Sequence, residues 1–216
     1  MENRPSVSII DYGMCNMHSV IHAFEAIGAQ IAIANKPEDI LTADHVVLPG
    51  VGAFEDGMKG LAELGFIEPL KQFAATGKPL LGICLGMQML MDTSEEFGEH
   101  RGLGLIEGTV TAIPDTGNNG ERHKIPHIGW NELVKPNLKQ WDGTIMNDTE
   151  EHSSVYFVHS FTCKPESSEN RLADAYYNGR LISAAIKKQN IYGCQFHPEK
   201  SGKVGLEIIS NFLRIR

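Results

Sequence analysis

The sequence is short of every feature that would place it outside a cytosol. Four cysteines, Cys15, Cys84, Cys163 and Cys194, are scattered through 216 residues with no close pair, which is not the spacing of a disulfide-stapled secreted scaffold. The first apolar run, Val7 to Ile10, follows residues of both charge signs in Glu2 and Arg4. It is far shorter than a signal-peptide core or a membrane span. Basic residues are scarce as well: 19 Lys and Arg stand against 27 Asp and Glu, a formal net charge of −8. Nucleic-acid binders cluster Lys and Arg to displace phosphate counterions, so no nucleic-acid partner is expected. Repeats, low-complexity tracts and linkers are missing too, and nothing marks a domain boundary. With 42% hydrophobic residues, residues 1–216 are expected to bury a single core as one soluble, cytoplasmic domain that does not engage a membrane.

What is present is a rhythm. Short apolar runs rich in β-branched residues recur at Val7 to Ile10, Gln30 to Ala34, His45 to Leu48 and Leu80 to Cys84, with helical stretches between them. That alternation predicts an α/β fold, a mostly parallel sheet flanked by helices. Between the first two runs, Met17, Val20, Ile21, Phe24 and Ile27 recur at helical spacing, with Asn16 as N-cap and Gly28 as stop. Beyond Phe97 the pattern changes. Gly102 to Ile113 and Val155 to Phe161 read as strands, Pro114 to Gly120 as a polar loop, and Leu181 to Lys187 with Ile191 to Phe196 as a hairpin. The second half therefore predicts an antiparallel extension of the sheet. Val204, Ile208, Ile209, Phe212 and Leu213 share one face of a closing helix.

The chemistry concentrates at Leu81-Gly82-Ile83-Cys84-Leu85-Gly86-Met87-Gln88, an apolar strand that runs into Gly-x-Cys-x-Gly and then into the apolar, helix-like residues Met89, Leu90 and Met91. This is the cysteine counterpart of a nucleophile elbow. A sharp strand-to-helix turn leaves no room for side chains two positions either side of the nucleophile, hence Gly82 and Gly86. The helix would aim its first N–H groups at the sulfur, a setting that favours negative charge there. Taken alone, the motif fits a small buried cysteine beside helix-packing glycines equally well.

A base elsewhere decides between these readings. Gln195-Phe196-His197-Pro198-Glu199 follows the hairpin's second strand, where Pro198 ends the ladder. There His197 can take the thiol proton and Glu199 can hold the imidazole in one tautomer, a Cys-His-Glu triad. Leu48-Pro49-Gly50-Val51-Gly52-Ala53-Phe54 is a glycine-rich turn just past an apolar strand, at the edge where α/β sites gather. The N–H of Val51 or Gly52, with that of Leu85, could form an oxyanion hole. His18 with His22, and Cys194 with His197, have metal-like spacing but no matching second pair, so no metal and no cofactor is expected.

With these residues in place, the chain resembles a class I, triad-type glutamine amidotransferase nearly from end to end, most specifically through Gly-Ile-Cys-Leu-Gly-Met-Gln and Gln-Phe-His-Pro-Glu. Within that class it is similar to the glutaminase subunit of imidazole glycerol phosphate synthase. The matching segments are Ile10-Asp11-Tyr12-Gly13 with Asn16, Pro49 to Gly52, Pro126-His127-Ile128-Gly129-Trp130-Asn131, Tyr156 to Ser160, and His197-Pro198-Glu199-Lys200-Ser201. The resemblance implies a flavodoxin-like glutaminase domain that acts on L-glutamine. It also implies a heterodimer in which ammonia passes to a (β/α)8-barrel cyclase subunit making imidazole glycerol phosphate and aminoimidazole carboxamide ribotide in histidine biosynthesis. It puts Gln88, His159 and Ser160 at the glutamine and Asn16, Trp130, Tyr156 and Lys200 at or near the cyclase face. Two positions depart from the family pattern: Cys15 stands where glycine is usual and Phe161 where tyrosine is frequent. Two other readings remain open on the residues, a paralogue feeding ammonia to a cyclase-like barrel in surface-sugar synthesis and a catalytically silent binding subunit.

Overall fold

A computed structural model describes residues 6–136 and 141–216; Glu2 and Arg4, in the first stretch of the expected 1–216 domain, lie outside the described residues. The four apolar runs become β1 (Ser6–Ile10), β2 (Gln30–Ala34), β3 (Val46–Gly50) and β4 (Leu80–Cys84). Between them lie α1 (Met17–Ala26), α2 (Pro37–Leu41), α3 (Phe54–Glu63) and α4 (Ile67–Ala75), and α5 (Leu85–Met89) follows β4 directly. The Asn16 side chain accepts from the Ser19 N–H and caps α1, and Gly28, at φ 78°, lies just past its end, both as expected. The second half holds β5 (Met91–Ser94), β6 (His100–Arg101), β7 (Ile106–Ala112), β8 (His127–Glu132), β9 (Ser154–His159) and β10 (Phe161–Pro165). β11 (Arg171–Tyr177), β12 (Arg180–Lys188), β13 (Ile191–Cys194) and α6 (Gly202–Phe212) complete the chain.

The main sheet has the order β11-β12-β13-β4-β3-β1-β2. From β13 to β2 every pairing is parallel; β11 and β12 join antiparallel, which is the predicted extension. β3 and β4 are buried at every position, as strands covered on both faces must be. Successive residues feed opposite cores: Ile9, Val47, Leu81 and Ile83 pack with Phe24 of α1 and Phe212 of α6, whereas Ile10, Leu48 and Leu80 pack with Leu61, Leu70 and Phe73 of α3 and α4. Pro49 is tolerated within β3 because pairing to β1 stops at Val47, so no ladder bond there needs its missing N–H. β10, β7, β5 and β6 form a second sheet, and β8 and β9 form a separate two-stranded ribbon.

Three boundaries differ from the sequence reading. Met91 does not extend the helix after Cys84: α5 ends at Met89 and Met91 opens β5. The carbonyls of Met89, Leu90 and Met91 accept N–H groups from residues 103–106, so the segment leading into β7 has captured the acceptors a longer helix would use. The run from Gly102 contributes only β7, from Ile106 onward. The run from Val155 breaks at Ser160 into β9 and β10, which lie in different sheets.

α5 lies so close to β3 that a Cβ on Gly86 would run into the Leu48 carbonyl oxygen. Gly86→Ala is expected to lower stability by at least the ~1–3 kcal/mol typical of overpacking, read as a lower urea midpoint. An unchanged midpoint would mean that α5 can ride away from β3 at little cost.

Candidate active site

Cys84 sits at the carboxyl end of the central strand β4, one residue before α5, with φ 54° and ψ −109°. A non-glycine residue in that region is strained, and such strain persists only where the surroundings dictate it. Here they do. A Cβ on Gly82 would come within 2.7 Å of the Gly86 carbonyl and the Met87 nitrogen, so both flanking glycines are required by contact with backbone.

β13 runs parallel to β4 with Cys194 beside Ile83, so the chain just past β13 arrives beside Cys84. The His197 N–H donates to the Tyr156 carbonyl (2.9 Å), and the Ser201 hydroxyl donates to the His197 carbonyl (2.7 Å), which pins the backbone. His197 Nδ1 meets Glu199 Oε1 at 2.7 Å, with both side chains almost fully buried. Since the carboxylate can only accept, Nδ1 carries the proton and Nε2 is the basic nitrogen. Nε2 is buried and has no hydrogen-bond partner among the described residues. Burial disfavours charge on this ring, but the adjoining Cys84 and Glu199 side chains, through hydrogen bonding first and charge second, outweigh it and raise its pKa to about 10. An imidazolium formed there by proton transfer from sulfur is therefore stabilised.

Cys84 and His197 open onto a cavity of about 320 Å³ whose lining also includes Val51, Gly52, Leu85, Gln88, His159 and Ser160. Those residues were singled out from four separate stretches of sequence, and the fold brings them together. Leu85, as the first residue of α5, has an N–H with no intrahelical acceptor. The Val51 N–H, in contrast, donates to the Met14 carbonyl at 2.9 Å and is turned away from use as an oxyanion donor in this state. Gln88 Nε2 donates to the Phe161 carbonyl (3.3 Å) and to Gln195 Oε1 (3.1 Å). Both of its amide hydrogens are thereby used, and only its oxygen is left for a ligand.

Sequence reasoning missed Glu96, which also lines the cavity and whose Oε2 accepts the Phe54 N–H at the start of α3 (2.7 Å). One of two adjacent glutamates just past a short strand carried no signal of its own. The expected partner-facing residues cluster around the ribbon. Trp130 on β8 is 59% exposed, pairs with Tyr156 on β9 and meets its ring edge-on. Ile128 on β8 is 58% exposed, and Lys200 lies exposed one residue beyond Glu199. Asn16 is exposed but commits its side-chain oxygen to capping α1, which packs beside the turn carrying Lys200.

His159 lines the cavity, but its ring is engaged behind it. Its Nδ1 meets the Phe161 carbonyl at 2.7 Å and its Nε2 meets His127 Nδ1 at 3.0 Å, so neither ring nitrogen is free for glutamine. The carbonyl fixes the tautomers: His159 donates from Nδ1 and accepts at Nε2 from His127 Nδ1–H. A proton on His159 Nε2 would face that of His127, which opposes charging of His159, and a proton on His127 Nε2 would face the Asn131 amide nitrogen at 3.5 Å. Burial pushes the His159 pKa down to about 3 and that of His127 to about 4, with neighbouring histidines lowering both further. The unfolded chain, titrating near 6.5, binds these protons first as pH falls. The stability that neutral rings contribute is thus full above about pH 6.5 and is lost as pH falls toward about 4. His127→Asn should flatten that decline in urea midpoint; an unaltered pH slope would show that the pair does not govern it.

The chain matches the family model described as "Glutamine amidotransferase class-I" over residues 8–215. It is 59% identical over 211 residues to "Imidazole glycerol phosphate synthase subunit HisH 1" of Legionella pneumophila (strain Lens), covering 97% of this chain and 99% of the relative. The HisH subunit of Sulfurimonas denitrificans is 45% identical, with 97% and 98% covered. Among solved structures, a glutamine amidotransferase crystal structure superposes with a TM-score of 0.72 at 15% identity, covering 97% of each chain. The PurLQS structure from Thermotoga maritima superposes at 0.69 and 18%, covering 98% of this chain and 99% of that one. At such identities these two show the shared fold alone, but the near-full-length sequence matches go further: the chain belongs to the class I glutamine amidotransferases and, within them, to the HisH subunits of imidazole glycerol phosphate synthase.

Proposed function

We propose that this chain hydrolyses L-glutamine to glutamate and ammonia and hands the ammonia to a (β/α)8-barrel cyclase subunit in histidine biosynthesis. The observation that carries the reading is Cys84 held at positive φ on its elbow while His197, oriented by Glu199, shares the same cavity. Cys84 Sγ attacks the carboxamide carbon as its proton passes to His197 Nε2. Leu85 N–H, with Val51 or Gly52 N–H, receives the oxyanion. The imidazolium returns its proton to the departing amine, leaving ammonia and a thioester. Water, deprotonated by the same nitrogen, then cleaves the thioester to glutamate and free thiol. The Gln88 oxygen and the Glu96 carboxylate are acceptors suited to the α-ammonium of the substrate.

Trp130, Ile128, Tyr156 and Lys200 are the proposed docking surface for the cyclase, with Asn16 at its margin. The exposed Trp130 and Ile128, the half-buried Tyr156 and the Lys200 cation form a patch of the composition that interfaces use. Of the alternatives, the silent subunit is disfavoured by the intact triad geometry. Cys84→Ala is expected to abolish glutamine-dependent ammonia release while leaving the thermal unfolding midpoint within a few degrees of the parent. Ammonia release at the parent rate in that variant would end the cysteine mechanism.

The Val51 N–H donated to Met14 supports a second expectation. With that donor turned away the isolated chain should be slow, and adding the cyclase with its own ligand should raise glutaminase activity by roughly a hundred- to a thousand-fold, the usual worth of one oxyanion donor. Gly50, whose ψ turns with the Gly50–Val51 peptide, accepts the new dihedral readily, and Lys200 joins the triad turn to the docking face. If the purified chain alone releases ammonia as fast as the ligand-bound complex does, the reorientation and the role of Lys200 both fall.

A further inference from the structure

Gln195 was quoted in the triad motif but given no task, and it is fully buried between Gln88 and the nucleophile. Its Nε2 lies 3.8 Å from Cys84 Sγ, within reach of an N–H···S hydrogen bond, while its Oε1 accepts from Gln88 Nε2 at 3.1 Å. The orientation of this amide is forced by a chain of one-way contacts. The Phe161 carbonyl can only accept; it takes His159 Nδ1–H and one hydrogen of Gln88 Nε2. Gln88 therefore presents its remaining hydrogen to Gln195, which must answer with oxygen. A reversed Gln195 would set donor against donor at Gln88 and bring a carbonyl oxygen against the sulfur.

The sulfur thus stands between opposed groups. On one side the Val158 carbonyl lies 3.9 Å away and can accept from a thiol but repels a thiolate. On the other the Gln195 amide can donate to a thiolate. Once the proton has passed to His197, only the second contact is favourable. We infer that Gln195 is a positioning residue that holds the charged sulfur of Cys84, its amide locked in the donating orientation by Gln88 and the Phe161 carbonyl. This deepens the proposed glutaminase reading, but it concerns the nucleophile rather than the substrate.

Gln195→Glu separates this role from simple core filling. It keeps the shape and the acceptor for Gln88 but puts a carboxylate oxygen where the donor stood. Gln195→Met removes both polar ends without adding charge and serves as the second variant should the first fail to fold. The full chain is treated with iodoacetamide across a pH series, and alkylation of Cys84 is followed by mass spectrometry, with circular dichroism confirming the fold. The expected result is a roughly ten- to hundred-fold slower reaction at neutral pH, the range for a hydrogen bond to a charged group. The rise of rate with pH should also move to higher pH, and the larger change should come from Gln195→Glu. A parental rate and pH profile in either folded variant would overturn the inference. Because the readout needs no glutamine, a chain that fails to hydrolyse glutamine yet shows the shifted profiles would count against the proposed function and leave this role standing.

Discussion

The structure turns on how closely α5 approaches the end of β3. With no side chain on Gly82 or Gly86, the helix starts immediately after Cys84 and lies against the Leu48 carbonyl. Everything chemical follows from that contact. It forces Cys84 out of the β region and sets its sulfur at the carboxyl edge of a sheet whose neighbouring strands deliver His197 on one side and the Val51 turn on the other. The parallel pairing of β13, β4 and β3 is thus the geometric reason Cys84 and His197, far apart in sequence, meet in one cavity. The antiparallel hairpin that precedes β13 has a positioning role too: it turns the chain so that β13 runs in the same direction as β4.

A second constraint works beneath the cavity. Asn131, His127, His159, the Phe161 carbonyl, Gln88 and Gln195 are linked by successive hydrogen bonds that begin on the exposed ribbon and end at the Cys84 sulfur. Buried polar chains of this kind are stable only when each donor meets an acceptor, and then they admit one arrangement. The neutrality of both histidines is part of that arrangement, since a second proton on either ring would set donor against donor. Phe161 enters this network through its backbone. The phenylalanine that departs from the family pattern therefore leaves the network intact whatever its ring contributes to the pocket.

Much of this was legible in the sequence because the signals were local. The elbow announces itself through glycines two residues either side of a cysteine, and the four parallel strands through short apolar runs. The boundaries that went astray were decided by partners far along the chain. Met89 to Met91 have helical composition, yet residues 103–106 claim their carbonyls; Val155 to Phe161 reads as one strand, yet Ser160 carries the chain from the ribbon into another sheet. Site residues divide in the same way. Those within motifs came together as expected, whereas Glu96 and the binding partners of the His159 ring depend on tertiary placement that no spacing encodes.

On the proposed reading, the Val51 turn leaves the site assembled but short of one oxyanion donor. Donating its N–H to Met14 satisfies a group that would otherwise need another partner, and a single backbone hydrogen bond is worth about 0.5–1.5 kcal/mol net. Exchanging it for an orientation toward Cys84 costs that bond plus the dihedral changes of the Gly50–Val51 peptide, of which the change in Gly50 ψ is one that glycine accepts readily. A partner favouring the turned-in state by a few kcal/mol is sufficient to reverse the population. Val51 is 41% exposed, so its side chain is accessible to such a partner. On the proposed reading, the elbow holds the nucleophile in one arrangement, and control falls to the Gly50–Val51 peptide, whose N–H can serve either Met14 or the oxyanion.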